Sequence, residues 1–232
     1  MESYGEKIWN ELFSSQEWGR YPSEEAIRFF LRSKNKLKME KIKALDLGCG
    51  QGAVSWFMAR EGAAVTAMDG APAGLDRVKA LAAEFGVRSG IETVLGEITE
   101  PGKSLESKYD IVLDHYSLFQ NKEERMVSAY KGLFELLNKG GFLLTCVFGQ
   151  NTSSFGHGKK ISEKTYTDIT KGSFVNRGLT TFFKREQLDE IFLGIGFEIE
   201  YRERILLERD DVVDEKLVTC LRKPQGQKLG AL

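Results

Sequence analysis

Cysteine and histidine are scarce in this 232-residue chain, with three of the first and two of the second. Cys49, Cys146 and Cys220 form no C-x-x-C pair, and the last two stand in apolar runs, where a thiol behaves as a small buried hydrophobe. An odd count without ligand spacing argues against a disulfide framework or a zinc site. His115 and His157 alone are too few for a multi-histidine metal centre. No run reaches the ~18 apolar residues of a membrane span. The opening MESYGEKIWNELF carries acids where a signal peptide needs a basic stretch and an apolar core. Neither sign of charge dominates: 33 Lys and Arg face 34 Asp and Glu. That balance excludes a global basic surface of the kind that holds nucleic acid. With 41% hydrophobic residues the chain is not disordered. Its length suits one large domain or two small ones, with enough core to need no covalent staple. The expectation is a soluble cytoplasmic protein.

What the chain does contain is alternation. Strand-like runs at 42–47, 64–69, 91–96, 109–114 and 141–148 are separated by stretches of helical pattern. Pro22-Ser23-Glu24-Glu25 reads as a helix start, with Ser23 as N-cap and Ile27, Phe30 and Leu31 as an apolar stripe. Asn121 and Glu124 read as a capping pair for a helix to Lys139, with Val127, Tyr130, Phe134 and Leu137 on one face and Gly140 as its stop. A further helix spans 184–193, before strand runs at 197–207 and 216–223. Strands and helices in this order predict an α/β fold, a doubly wound parallel sheet. Ligands of such sheets bind outside the carboxyl ends of the strands, which directs attention to residues 46–52, 69–71, 96–98 and 114–120.

ALDLGCGQG at 44–52 is the strongest signal. Gly48, Gly50 and Gly52 fall where a buried strand turns into a helix that aims free N–H groups at a ligand. Gly48, Gly50 and Ala53 also fit the dinucleotide spacing G-x-G-x-x-A. Asp46 separates the two readings, because a carboxylate at the mouth of the turn repels pyrophosphate and attracts a cation. Asp46 to Gly52 resembles the D-x-G-x-G-x-G first motif of the class I S-adenosylmethionine (SAM)-dependent methyltransferases. The resemblance implies a mostly parallel seven-stranded sheet, SAM as cofactor, and contacts from Asp46, Gly48, Cys49, Gly50 and Gly52.

Asp69 lies 21 residues after Gly48 at a strand end, a spacing that suits an acid accepting from a ribose. Gly70 beside it leaves a thin surface for the purine, although Asp69 also suits a helix cap. Members of the family carry an Asp-hydrophobic pair against the adenine edge; here Glu97-Ile98 stands there, one methylene longer, and a solvated loop acid is the alternative. The fourth strand and its loop, DHYSLFQ, lie beside the reactive methyl in this family. Asp114 is expected to orient cofactor or substrate, and His115 or Tyr116 to serve as base, against a plain packing role. Similar small-molecule members read His-Phe-Phe where this chain has Thr181-Phe182-Phe183.

The N-terminal segment 1–40 resembles the lid helices of such enzymes, with Trp18 and Tyr21 over the methionine end and Arg20 meeting its carboxylate. Residues 149–180 are expected to form a cap inserted after the fifth strand. Residues 150–178 carry five basic and two acidic side chains, a candidate positive lid in which His157, between Gly156 and Gly158, is a second proton acceptor or anion contact. A solvated loop is the bland alternative. These segments belong to one domain over 1–223, followed by a frayed tail at 224–232. The function expected is methyl transfer to an oxygen or nitrogen of a small, possibly anionic, acceptor, with no nucleic acid or membrane partner. A non-catalytic SAM-binding protein is an alternative, and a nicotinamide oxidoreductase a weaker one, since no Tyr-x-x-x-Lys pair is present.

Overall fold

The computed structural model describes residues 4–226, and its centre is Ile42–Leu47 (β1), in which five of six residues are buried. A strand hidden on both faces needs neighbours on either side and helices above and below. β1 pairs in parallel with β2 (Ala63–Asp69) and β4 (Tyr109–His115). β3 (Ile91–Leu95) extends the sheet beyond β2, and β5 (Leu137–Phe148) extends it beyond β4, both in parallel. The later strands β9 (Glu198–Arg209) and β10 (Val212–Arg222) close that edge, β10 antiparallel to β5 and β9 antiparallel to β10. The order β3-β2-β1-β4-β5-β10-β9 is the mostly parallel, doubly wound seven-stranded sheet expected. The tail expected to fray lies, from residue 227, outside the described residues. Among those described, no helix is long and apolar enough to cross a membrane.

The pleat sorts each strand's side chains into two layers. Leu45, Val112 and Leu143 face α5 (Glu123–Leu136) and α6 (Arg185–Ile195), where Tyr130, Leu133 and Phe192 are buried. Ala44, Ile111 and Leu144 face α2 (Glu24–Leu37) and α3 (Ala53–Arg60), through Phe29, Phe30 and Met58. α4 (Pro72–Glu84) covers β2 and β3, and α1 (Tyr4–Ser15) packs on α4.

Ser23 caps α2 as expected, its hydroxyl accepting from the Ala26 amide. The buried stripe, however, is Glu25, Ala26, Phe29, Phe30 and Ser33, one position off the expected one. α5 also differs. It follows Lys122 with no side-chain cap, because Asn121 Nδ2 donates to Leu118 O in the preceding turn. It ends at Leu136 rather than near Lys139, because Leu137 already pairs with Tyr109 in the sheet. Gly140 is therefore a strand residue with φ +78°, donating to Lys223 O at 2.8 Å, and the buried face of α5 is Met126, Ala129, Tyr130 and Leu133. Between β5 and α6 the chain leaves the sheet and builds a small antiparallel one from β6 (Lys159–Lys160), β7 (Thr165–Thr167) and β8 (Thr180–Thr181).

Candidate active site

The turn after β1 is shaped by backbone demands. Gly48 has φ +68°, a conformation that side-chain-bearing residues avoid, and a Cβ there would lie 2.2 Å from Ser117 Cβ. The Gly48 and Cys49 amides donate to Met68 O at 2.7 and 3.0 Å, so the turn is bolted to the end of β2. Asp69 completes the fastening: Oδ2 accepts from the Gly50 amide and Oδ1 from the Ala71 amide, both at 2.8 Å. Phe13 of α1 rests on Gly50, 3.2 Å from where a Cβ would stand.

A cavity of about 860 Å³ opens over this turn at the carboxyl ends of β1, β2 and β4. Of the residues expected to bind or react, Asp46, Gly48, Cys49, Gly50, Asp69, Gly70, Glu97, Ile98, His115 and Tyr116 line it. Asp46 is buried and accepts from Ser55 Oγ at 2.6 Å. Burial pushes its carboxyl up to about 6, against the lowering pull of that hydroxyl. The Cys49 thiol is pushed well up by burial as well, so it is a wall rather than a nucleophile. Glu97 is committed elsewhere. Its Oε1 accepts from the Thr99 amide and hydroxyl at 3.0 and 2.8 Å, and its Oε2 pairs with Arg125 at 3.0 Å. Burial raises this carboxyl, but those partners outweigh burial and the net shift is downward.

Four expected site residues lie elsewhere. Asp114 is fully buried beneath the cavity floor, accepting from Tyr130 OH at 2.7 Å, Thr145 Oγ1 at 2.9 Å, Ser117 Oγ at 2.7 Å and the Leu118 amide at 3.0 Å. It is a structural tie that shapes the loop after β4, not a ligand contact. Gly52 turns away from the cavity and lets α3 approach α4, where a Cβ would stand 2.9 Å from Val78 Cγ2. The Arg20 side chain pairs with Glu84 of α4 outside the cavity, while Trp18 and Tyr21 do line it. His157 is exposed and does not line the cavity. Thr181 is spent inside the cap, donating to Asn121 O at 2.7 Å.

The mouth beside β4 is a polar knot that the sequence did not reveal. Tyr116, at φ +60°, donates its hydroxyl to Glu25 Oε1 at 2.8 Å. The same oxygen lies 3.7 Å from His115 Nε2 and 3.9 Å from Lys216 Nζ, whose ammonium stands over the Tyr116 ring. Burial would raise the Glu25 carboxyl, but the neighbouring His115 ring and the hydrogen bond from Tyr116 hold it well below the carboxylate range. Burial pushes the Tyr116 phenol far up, so its proton stays in place. His115 Nε2 also sits 2.8 Å from Ser23 Oγ. The one local signal for Glu25 is its place four residues before Phe29, on the buried face of α2. Lys216, which also lines the cavity, carries no such signal; Arg177, which lines it too, is one of the five basic side chains of the expected positive lid.

Residues 38–185 match the family model described as "Methyltransferase domain". A sterol 24-C-methyltransferase of Debaryomyces hansenii is 24% identical over 208 residues, covering 86% of this chain. The chain spans only 52% of that protein's length. Among solved structures, a SAM-dependent methyltransferase of Methanosarcina mazei is similar at TM-score 0.68 and 19% identity, covering 88% of this chain and 99% of that one. The 1,6-didemethyltoxoflavin-N1-methyltransferase of Burkholderia thailandensis, solved with that substrate and S-adenosylhomocysteine, is similar at TM-score 0.64 and 20% identity, covering 94% and 88%.

Proposed function

Because the chain belongs to the methyltransferase-domain family, we propose that it transfers the methyl group of SAM to a small-molecule acceptor. The observation that carries this reading is the glycine turn with Asp46 and Asp69 opening onto a cavity of about 860 Å³. That volume lies in the upper range of small-molecule sites, ample for a donor and an acceptor together. Two carboxylates at the turn suit a ligand with an ammonium and a sulfonium, and they oppose a pyrophosphate. SAM supplies an electrophilic methyl carbon on a positively charged sulfur.

The chain's own groups divide the remaining work. The backbone of Gly48, Cys49 and Gly50 takes the methionine end, with Asp46 facing the ammonium. We assign Asp69, beside Gly70, to the ribose and Ile98 to the adenine face, on the support that all three line the cavity. Glu97 is held by Thr99 and Arg125, so adenine-edge recognition passes to backbone groups of that loop. At the mouth, His115 Nε2 takes the acceptor's proton where the acceptor arrives protonated. Glu25 then steadies the imidazolium as a positioning residue, since its carboxylate lies 3.7 Å from Nε2. Tyr116 keeps its proton and fixes Glu25. The walls hold the nucleophile in line, ~3–3.5 Å from the methyl carbon. Three free, buried thiols fit a reducing cytoplasmic setting.

Calorimetry tests the donor assignment. SAM and S-adenosylhomocysteine should bind in the low-to-middle micromolar range, roughly −7 to −8 kcal/mol. Asp69→Ala should weaken both at least ~10-fold, because two backbone N–H groups lose a charged acceptor as well as the ribose contact. Absence of binding to the wild-type chain overturns the reading.

A further inference from the structure

Of the basic side chains on the cavity wall, two have found acids. Arg125 pairs with Glu97, and Lys216 sits beside Glu25. Lys122 is exposed at the rim. Arg177 is different. It reaches the cavity from the cap, its guanidinium 4.6 Å from the Trp18 ring centre. Its Nη1 is buried with no hydrogen-bond partner, and among the described residues no carboxylate is paired with it. Burial alone lowers its pKa, with no neighbouring charge to restore it. A guanidinium resting over an indole ring, on a residue that lines the cavity and makes no ion pair among the described residues, has donors to offer a planar oxyanion.

The adjoining wall says what the anion is attached to. Phe174 lies one turn before Arg177 and accepts the Arg177 amide on its carbonyl at 3.2 Å. Its ring forms a three-way aromatic cluster with Phe119 and Phe148, at centroid distances of 5.5, 4.6 and 5.1 Å, and all three line the cavity. This surface belongs to the cap and to the ends of β4 and β5, on the side away from Asp69 and Gly70.

We infer that the methyl acceptor is an organic acid, with a carboxylate held by Arg177 and an apolar, ring-sized body against Phe119, Phe148 and Phe174. The inference rests on the methyl-transfer reading above, and names the acceptor's class within it. The field comes from one half-buried guanidinium on the cavity wall rather than from the exposed lysines of the cap, so binding should survive salt better than a surface patch would.

Benzoate and its neutral isostere benzamide are the probes, titrated into the full chain saturated with S-adenosylhomocysteine. Benzoate should bind at least ~10-fold tighter than benzamide, since charge-assisted hydrogen bonds are worth about twice neutral ones. Arg177→Gln should bring benzoate to the level of benzamide and leave S-adenosylhomocysteine affinity within ~2-fold, which also shows the variant folded. A wild-type chain without preference for benzoate overturns the inference, as does a preference that survives Arg177→Gln. A fall in S-adenosylhomocysteine affinity of ~10-fold or more in Arg177→Gln overturns it too, by giving the guanidinium to the donor's carboxylate. If the wild-type chain binds no S-adenosylhomocysteine at all, the methyl-transfer reading itself is what fails.

Discussion

The turn after β1 is held by backbone atoms: amides of Gly48, Cys49 and Gly50 reach Met68 O and Asp69, over at most 21 residues of sequence. The mouth beside β4 is held by side chains: Glu25 from α2, His115 and Tyr116 after β4, and Lys216 from β10, gathered from 191 residues of chain. The two regions share one cavity and make opposite demands. Where the backbone carries the contacts, the turn tolerates almost no added atom, yet most of its neighbours need no special chemistry. Where side chains carry them, volume is negotiable and charge is not. Donor recognition should therefore be the rigid half of this site and acceptor recognition the adjustable one.

The largest effect expected from that contrast is at Gly48. A branched side chain must displace Ser117, whose hydroxyl links Leu47 O and Asp114, and must also accept φ +68°. Gly48→Val should abolish S-adenosylhomocysteine binding, a loss beyond ~100-fold, while the far-UV spectrum keeps its α/β shape. Titration calorimetry and circular dichroism on the same sample decide it. Binding within ~10-fold of wild type would mean that the turn is not the donor's cradle.

The same contrast explains which parts of the molecule were legible beforehand. Strands β1, β2, β4 and β5 announce themselves because each is largely buried on both faces, while β3, at the sheet's edge, shows only as a short β-branched run. Asp46, Gly48, Gly50, Asp69 and Gly70 are legible because a tight strand-to-helix turn restricts residue type locally. Asp114 misled because its neighbour His115 lies at the cavity. The pleat sends consecutive side chains to opposite faces, and Asp114 goes to Tyr130 and Thr145 on the α5 side. Arg20 misled because its partner, Glu84, lies 64 residues away. Glu25 reads as an ordinary first-turn acid of α2, and only the tertiary approach of β4 and β10 turns it into the centre of the mouth. Nothing in the local sequence encodes that approach.

A middle-sized effect probes the one point where the rigid half depends on charge. Burial places the Asp46 carboxyl at about 6, so between the ordinary carboxylate value and about pH 6 the free protein holds a proton there that the unfolded chain has already lost. With its folded value raised, Asp46 favours the folded state below the ordinary carboxylate value, and that contribution is lost as pH rises through about 6. Two units correspond to about 3 kcal/mol at most. A cationic donor reverses the preference, because it needs the carboxylate. SAM affinity should fall about tenfold between pH 7 and pH 5, with up to one proton released on binding below about pH 6, whereas Asp46→Asn should bind weakly and flatly across that range. A wild-type affinity that does not change with pH would remove Asp46 from the ammonium.

The smallest effect concerns the lysines of the cap. Their excess of positive charge over residues 150–178 suggests a field over the acceptor, but the structure distributes it differently. Lys159 and Lys160 are exposed on β6, with Lys160 paired to Glu163 at 2.6 Å, and neither lines the cavity. Lys164 is taken by Glu123 at 2.6 Å and lies over the Phe183 ring. Exposed charges of this kind are screened within about 8 Å at physiological salt. Replacing Lys159 and Lys160 together by alanine should leave both S-adenosylhomocysteine affinity and the benzoate preference where they were, in low salt and in physiological salt alike. Were the benzoate preference to drop with the double substitution, and to drop further with salt, the small sheet would have to fold down over the mouth when an acceptor binds. The adjustable half of the site would then include the whole cap, not Arg177 and its aromatic neighbours alone.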